Sequence, residues 1–139
     1  MILRAALAFM VASPLAYATE PQPSISSNIV LQAGHSWDGS AFKGYPTGAP
    51  QLTVRRVTLQ PGAQFPWHTH PMPAAGYVIA GTLEVESHDG KIKRRFNAGE
   101  ALAEMQGIVH RGRSVDTVTE LVVFYAGTPG LPIAQDLTQ

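Results

Sequence analysis

The sequence predicts an all-β chain, a single-domain antiparallel β-barrel or jelly roll. Three observations lead there. From Gln51 onward, about eight short runs of β-branched and aromatic residues alternate with Gly, Asn and Asp turns spaced roughly seven to twelve residues apart. No stretch carries a sustained helical period. No internal repeat of solenoid length occurs, and 139 residues allow one domain at most.

Residues 1–18 have the layout of a secretory signal peptide. Met1 to Arg4 is a short positive start, Ala5 to Leu15 is apolar, and Ala16-Tyr17-Ala18 is a small-x-small cleavage site. The apolar run is short for a bilayer and contains Pro14, which argues against a permanent anchor. The mature chain is expected to begin at Thr19, to be periplasmic or secreted, and to leave the membrane once cleaved. Loss of Arg4 leaves nine Lys and Arg against ten Asp and Glu, so no polyanionic partner is called for. There is no cysteine, so an exported protein of this size must be held by its core alone.

Residues 19–50 read as a lead-in and arm, with Ile29 to Leu31 as a possible first strand and an ordered loop around Asp38-Gly39. The barrel is expected over residues 51–127. Leu52 to Leu59 forms its first strand, and Pro61-Gly62 turns the chain into the segment around His68. Tyr77 to Ile79 and Leu83 to Ser87 are expected to form a hairpin through Ala80-Gly81. Asp89-Gly90, the strongest hairpin signal in the chain, joins Ser87 to the arm Lys91 to Phe96. Lys91, Lys93, Arg94 and Arg95 on that arm read as a solvated strand face; no aromatic platform accompanies them, so nucleic acid is not expected. Ala101 to Met105 runs back, Val109 to Arg111 follows, and Thr117 to Tyr125, the most apolar strand, is expected to be buried on both sides. Residues 128–139 are a tail laid over the surface.

Gly62 to Gly81 is the stretch that the other segments are arranged around. In an extended Trp67 to His70, His68 and His70 point the same way roughly 7 Å apart, close enough to bend onto one ion. His110 follows about forty residues later from a second strand. Three histidines from two strands make a facial set that leaves open positions on a metal. His35, in the early loop, is a weaker fourth candidate, and His88 beside Asp89-Gly90 belongs at an exposed hairpin tip. Strict alternation turns Trp67 away from the histidines. Gln64, Tyr77 and Tyr125 could contact a ligand or simply pack.

These residues resemble the two motifs of the cupin superfamily. The first, Gly, five residues, His-x-His, three or four residues, Glu, six residues, Gly, is matched by Gly62, His68, His70 and Gly81. The second, Gly, five residues, Pro-x-Gly, two residues, His, three residues, Asn, is matched by Gly99, Gly107 and His110. The chain is also similar to a subgroup of small exported bacterial cupins that share its Ser36-Trp-Asp-Gly39 lead-in and His110-Arg-Gly-Arg113 turn. Three positions depart from the motifs. Ala74 stands at the glutamate, Met105 at the proline and Ser114 at the asparagine. The three-His-one-Glu ligand set that the resemblance implies is therefore carried only by His68, His70 and His110. Glu104, flanked by Ala103 and Met105, is either turned to solvent or serves a partner inside. It is the candidate to replace the missing ligand or to act as a general base.

Two functions follow as expectations. One is a metal-dependent enzyme, of oxygenase or isomerase type, acting on a small organic molecule. The other is a non-catalytic protein whose barrel holds a small ligand or metal. Either would carry one divalent transition metal per chain, with Fe, Mn, Zn, Ni and Cu all compatible with imidazole. The resemblance also implies a homodimer.

Overall fold

The computed structural model describes residues 23–137, so the signal peptide at 1–18 and the start at Thr19 lie outside the described residues. Nine strands make two antiparallel sheets: β1 (Gln51–Leu59), β2 (His68–Thr69), β3 (Ala74–Ala80), β4 (Thr82–Ser87), β5 (Lys93–Asn97), β6 (Ala101–Ala103), β7 (His110–Ser114), β8 (Thr119–Gly127) and β9 (Gln135–Asp136). One sheet has the order β1-β8-β3-β6 and the other β5-β4-β7-β2-β9. No described residue is helical. The core between the sheets is built from inward side chains of both, including Val78, Leu83, Val85, Leu102, Met105 and Leu121.

The Asp89-Gly90 hairpin forms as expected: β4 pairs with β5, and Gly90 has φ 70°. The hairpin expected through Ala80-Gly81 does not form. β3 pairs with β6 and β8 while β4 pairs with β5 and β7, so Ala80-Gly81 carries the chain from one sheet to the other. A register shift between Val78 and Ala80 bends β3 toward this crossing. Gly81 is required at the crossing because φ is 77° and an added Cβ would lie 2.4 Å from the Val118 carbonyl oxygen. A hairpin signal reads only local turn chemistry, whereas sheet membership is set by which partner strands arrive.

Two further expectations are corrected. Ile29 to Leu31 is not a strand. β8 is buried on one side only: Leu121, Val123 and Tyr125 point into the core, whereas Phe124 on the other face is 37% exposed. Its apolar run reflects a central strand with a water-facing apolar side, since Leu52 and Val54 on β1 and Tyr77 and Ile79 on β3 are exposed as well. The lead-in loop does pack on the barrel. Trp37 is buried, and its backbone N–H donates to the Ala103 carbonyl at 2.9 Å. The tail folds back as β9, pairing Asp136 with His68 and Gln135 with Thr69.

Candidate metal centre

Pro66 and Pro71 bracket β2 and lack the N–H that a longer ladder needs, so the strand is two residues long. That is enough to place His68 directly opposite His110 on β7. His70, two residues on, keeps the same face. The three imidazoles are buried, with ring centroids 4.7 to 5.1 Å apart and one ring nitrogen from each within 4.8 Å of the others. These are the three histidines that the two sequence motifs select. His35 lies in an exposed bridge to Ala41, and His88 is exposed on the outside, edge-on to Trp67 at 4.9 Å.

The tautomers follow from the hydrogen bonds. Nδ1 of His68 faces the Pro66 carbonyl at 2.8 Å, Nδ1 of His70 the Ile133 carbonyl at 2.7 Å, and Nδ1 of His110 the Ile108 carbonyl at 2.8 Å. A carbonyl oxygen only accepts, so each Nδ1 carries the hydrogen and each neutral ring turns a bare Nε2 lone pair inward. Nε2 of His68 and of His70 are 3.2 Å apart. Nε2 of His110 has no hydrogen-bond donor and sits 3.3 Å from Oε2 of Glu104. Lone pairs held this close repel one another unless a cation lies among them. The donor set therefore suits a metal ion: imidazoles fixed by carbonyls behind them, with a carboxylate alongside.

Glu104 is brought to the site from the opposite sheet. Its backbone N–H donates to the Ala74 carbonyl at 2.9 Å, so it lies one strand across from the residue at the motif's glutamate position. The inward residues of β3 near it are small. An added Cβ on Gly76 would sit 2.7 Å from Leu102 and 3.7 Å from Oε1 of Glu104. Ala74 and Gly76 thus leave room for a side chain from the neighbouring strand.

Electrostatics differ within the group. Burial holds His68 below the usual imidazole range and His70 down at about 4. Burial opposes charge on His110 too, yet the Glu104 carboxylate 3.3 Å away outweighs the penalty and raises it. For Glu104 burial favours the neutral acid, but His110 and the other two imidazoles pull it below the ordinary carboxylate range. These histidines line a cavity of about 230 Å³. Tyr125 also lines it, its ring 5.4 Å from His70, and burial raises its phenol so that it stays protonated. Gln64 and Tyr77, the other two ligand-contact candidates, are not part of the lining; Trp67 faces the opposite side of the sheet. The sequence reading missed Arg55 and Asp136, which also line the cavity, and the Ile133 carbonyl that orients His70.

A family model described as "Cupin domain" matches residues 55–126. Among solved structures the chain is similar to the DMSP lyase DddQ from Ruegeria pomeroyi DSS-3, at TM-score 0.54 and 24% identity over 61% of this chain and 42% of that one. A cupin-like protein from Thermotoga maritima matches at TM-score 0.54 and 23% identity over 63% of this chain and 65% of that one. Oxalate oxidase in complex with the substrate analogue glycolate matches at TM-score 0.51 and 28% identity, over 59% of this chain and 45% of that one. The matched region thus spans less than half of DddQ and of oxalate oxidase. Comparison with curated protein sequences gives no match.

Proposed function

Because the chain belongs to the cupin family and gathers three bare imidazole nitrogens beside an ionised carboxylate, we propose that it is a metal-dependent enzyme, of oxygenase or isomerase type, acting on a small organic molecule. The convergence of those acceptor atoms on the lining of a small cavity carries this reading. His68, His70 and His110 hold one divalent ion, with Fe, Mn, Zn, Ni and Cu all compatible, and Glu104 serves as a fourth ligand or as a base beside it. Such an ion, when bound, supplies Lewis acidity or, if redox-active, electron transfer.

The chain's own groups do the rest. Glu104, kept ionised by the imidazoles around it, can take a proton from substrate. The Tyr125 hydroxyl stays a donor. Leu83, Val85, Leu121 and Val123 on the cavity wall exclude water. The likeness to oxalate oxidase, whose structure holds glycolate, supports small-molecule chemistry.

Metal analysis of protein purified from an exported fraction tests the reading first, and oxygen uptake by the iron-loaded protein over a panel of small acids, alcohols and phenols tests it second. Stoichiometric metal with turnover is expected. Protein that takes up no divalent ion in any preparation sinks it, while a metal-loaded protein without turnover is the non-catalytic binding protein instead. Export is part of the proposal, and an intact mass beginning at Thr19 is the expected result. So is a homodimer: the exposed face bearing Leu52, Val54, Tyr77, Ile79 and Phe124 is the surface a second copy would cover. Light scattering should give twice the chain mass, and Val54→Asp with Phe124→Asp should halve it.

A further inference from the structure

Arg55 stands apart from the other arginines of the described residues. Arg56, Arg95, Arg111 and Arg113 are each paired with a carboxylate, and Arg94 donates to the Trp37 carbonyl. Arg55 is in none of the ion pairs among the described residues. Its direction is fixed by register. It lies opposite Val123, between the Thr53–Tyr125 and Val57–Leu121 pairs, and Leu121, Val123 and Tyr125 are all buried toward the cavity. Directly opposed residues of an antiparallel pair share a face, so Arg55 turns inward while Arg56 turns out to Glu120 at 2.6 Å.

Among the described residues Arg55 is the one lysine or arginine that lines the cavity, on a wall shared with Leu121 and Val123. The Tyr125 hydroxyl is its neighbour there. Asp136 lines the cavity from β9, yet does not pair with it. A guanidinium has five N–H donors and is always charged; a phenol oxygen satisfies at most a fraction of them. Arg55 is also exposed to water, and an arginine on the cavity lining that no carboxylate of its own chain holds is matched best by an anion that comes and goes. The planar fork fits a carboxylate with two parallel hydrogen bonds.

Resting on the metal-centre reading above, we propose that Arg55 anchors a carboxylate of the substrate, and that the cavity takes small organic acids with the remainder of the molecule directed at the three imidazoles. Size limits the acid to a few carbons, because about 230 Å³ falls below the roughly 300–1,000 Å³ of pockets that hold drug-sized ligands.

Calorimetric titration with glycolate, its neutral amide glycolamide and inorganic phosphate tests this, with metal content measured on the same samples. Metal-loaded wild type should bind glycolate in clear preference to the other two. Arg55→Gln should weaken glycolate about ten- to a hundredfold at unchanged metal content, and Arg55→Lys by less. Arg56→Gln, which removes the same charge from the outer face, should bind as wild type does. Equal affinity in Arg55→Gln and wild type overturns the assignment, as does a wild type that takes glycolamide or phosphate as well as glycolate, or no probe at all. Failure of the wild type to hold metal overturns the metal reading alone. The assignment is then decided on metal-free protein, where Arg55→Gln must still lose glycolate affinity against wild type for it to stand.

Discussion

On the outer face of the five-stranded sheet, Glu84 and Glu86 are 6% and 7% exposed; in the cavity behind that sheet, Glu104 is 7% exposed. Equal burial is met in different ways. Glu84 receives Arg95 at 2.8 Å and Arg113 at 2.6 Å, and Glu86 receives Lys93 at 2.8 Å and Arg111 at 2.6 Å. Among the described residues Glu104 pairs with no lysine or arginine and faces an imidazole nitrogen at 3.3 Å. A carboxylate clamped by two cations of its own chain has its charge balanced and nothing left to do. One buried among imidazoles is balanced by a proton on His110 or by a cation from outside. The difference separates a structural face from a working one.

The largest break in this comparison comes from the imidazoles. Substituting Ala for His68, His70 or His110 should abolish stoichiometric metal binding, measured by metal analysis after dialysis, while His35→Ala and His88→Ala retain it. The buried three share one site, and the exposed two contribute nothing to it. Full occupancy in His110→Ala would show that the two strands do not act together.

Glu104→Gln comes next. It keeps the shape and removes the charge, so metal affinity should fall about ten- to a hundredfold if the carboxylate is a ligand or orients one. A pure base would give unchanged metal content and no turnover. Unchanged affinity and unchanged turnover together would place Glu104 with Glu84 as a structural group.

The two regions were unequally legible in the sequence. His68, His70 and His110 carry fixed spacings within local motifs, and the Asp89-Gly90 turn is a local backbone preference, so both could be read directly. Glu104 was legible as a carboxylate in apolar company, with its direction left open between solvent and the interior; its approach to His110 depends on Ala74 and Gly76 being small on the next strand. Arg55 was hidden, because its inward direction follows from pairing β1 with β8, more than sixty residues away. The crossing at Gly81 was misread for the same reason: strand partners chosen at long range override turn chemistry. Glu84 with Glu86, Arg111 with Arg113 and Lys93 with Arg95 alternate with period two, yet only the register of three strands shows that they interlock.

The pH dependence of the metal-free protein sharpens the contrast further. An unfolded histidine takes a proton near 6.5, whereas buried His70 resists one down to about 4, so the unfolded chain binds more protons in that window and stability falls as pH drops through it. His110 has the opposite sign. Raised by Glu104, it contributes stability that is present below 6.5 and lost as pH rises through its folded value. Urea denaturation of chelator-treated protein should therefore show maximal stability near pH 6.5, with an acid limb on the order of 3 kcal/mol that flattens in His70→Gln. An identical acid limb in that variant would refute the assignment.

The smallest effect belongs to the outer face, and it should fall on stability alone. Glu84→Gln leaves Arg95 and Arg113 without their charged acceptor, but both guanidinium groups reach water, with side chains 59% and 40% exposed, so most of what they lose is recovered by hydration. The cost should be about 1 kcal/mol, read as a melting temperature roughly 4 °C lower. High salt should shrink the difference, because partly exposed pairs are screened. Metal affinity should not move: Glu84 points away from the cavity, on the far side of the sheet from His110. Glu104→Gln and Glu84→Gln then shift different observables from positions of the same burial. A Glu84→Gln protein that lost metal as Glu104→Gln does would mean that the clamps on the outer face hold β4 and β7 in the register His110 needs, and that the two faces are one device.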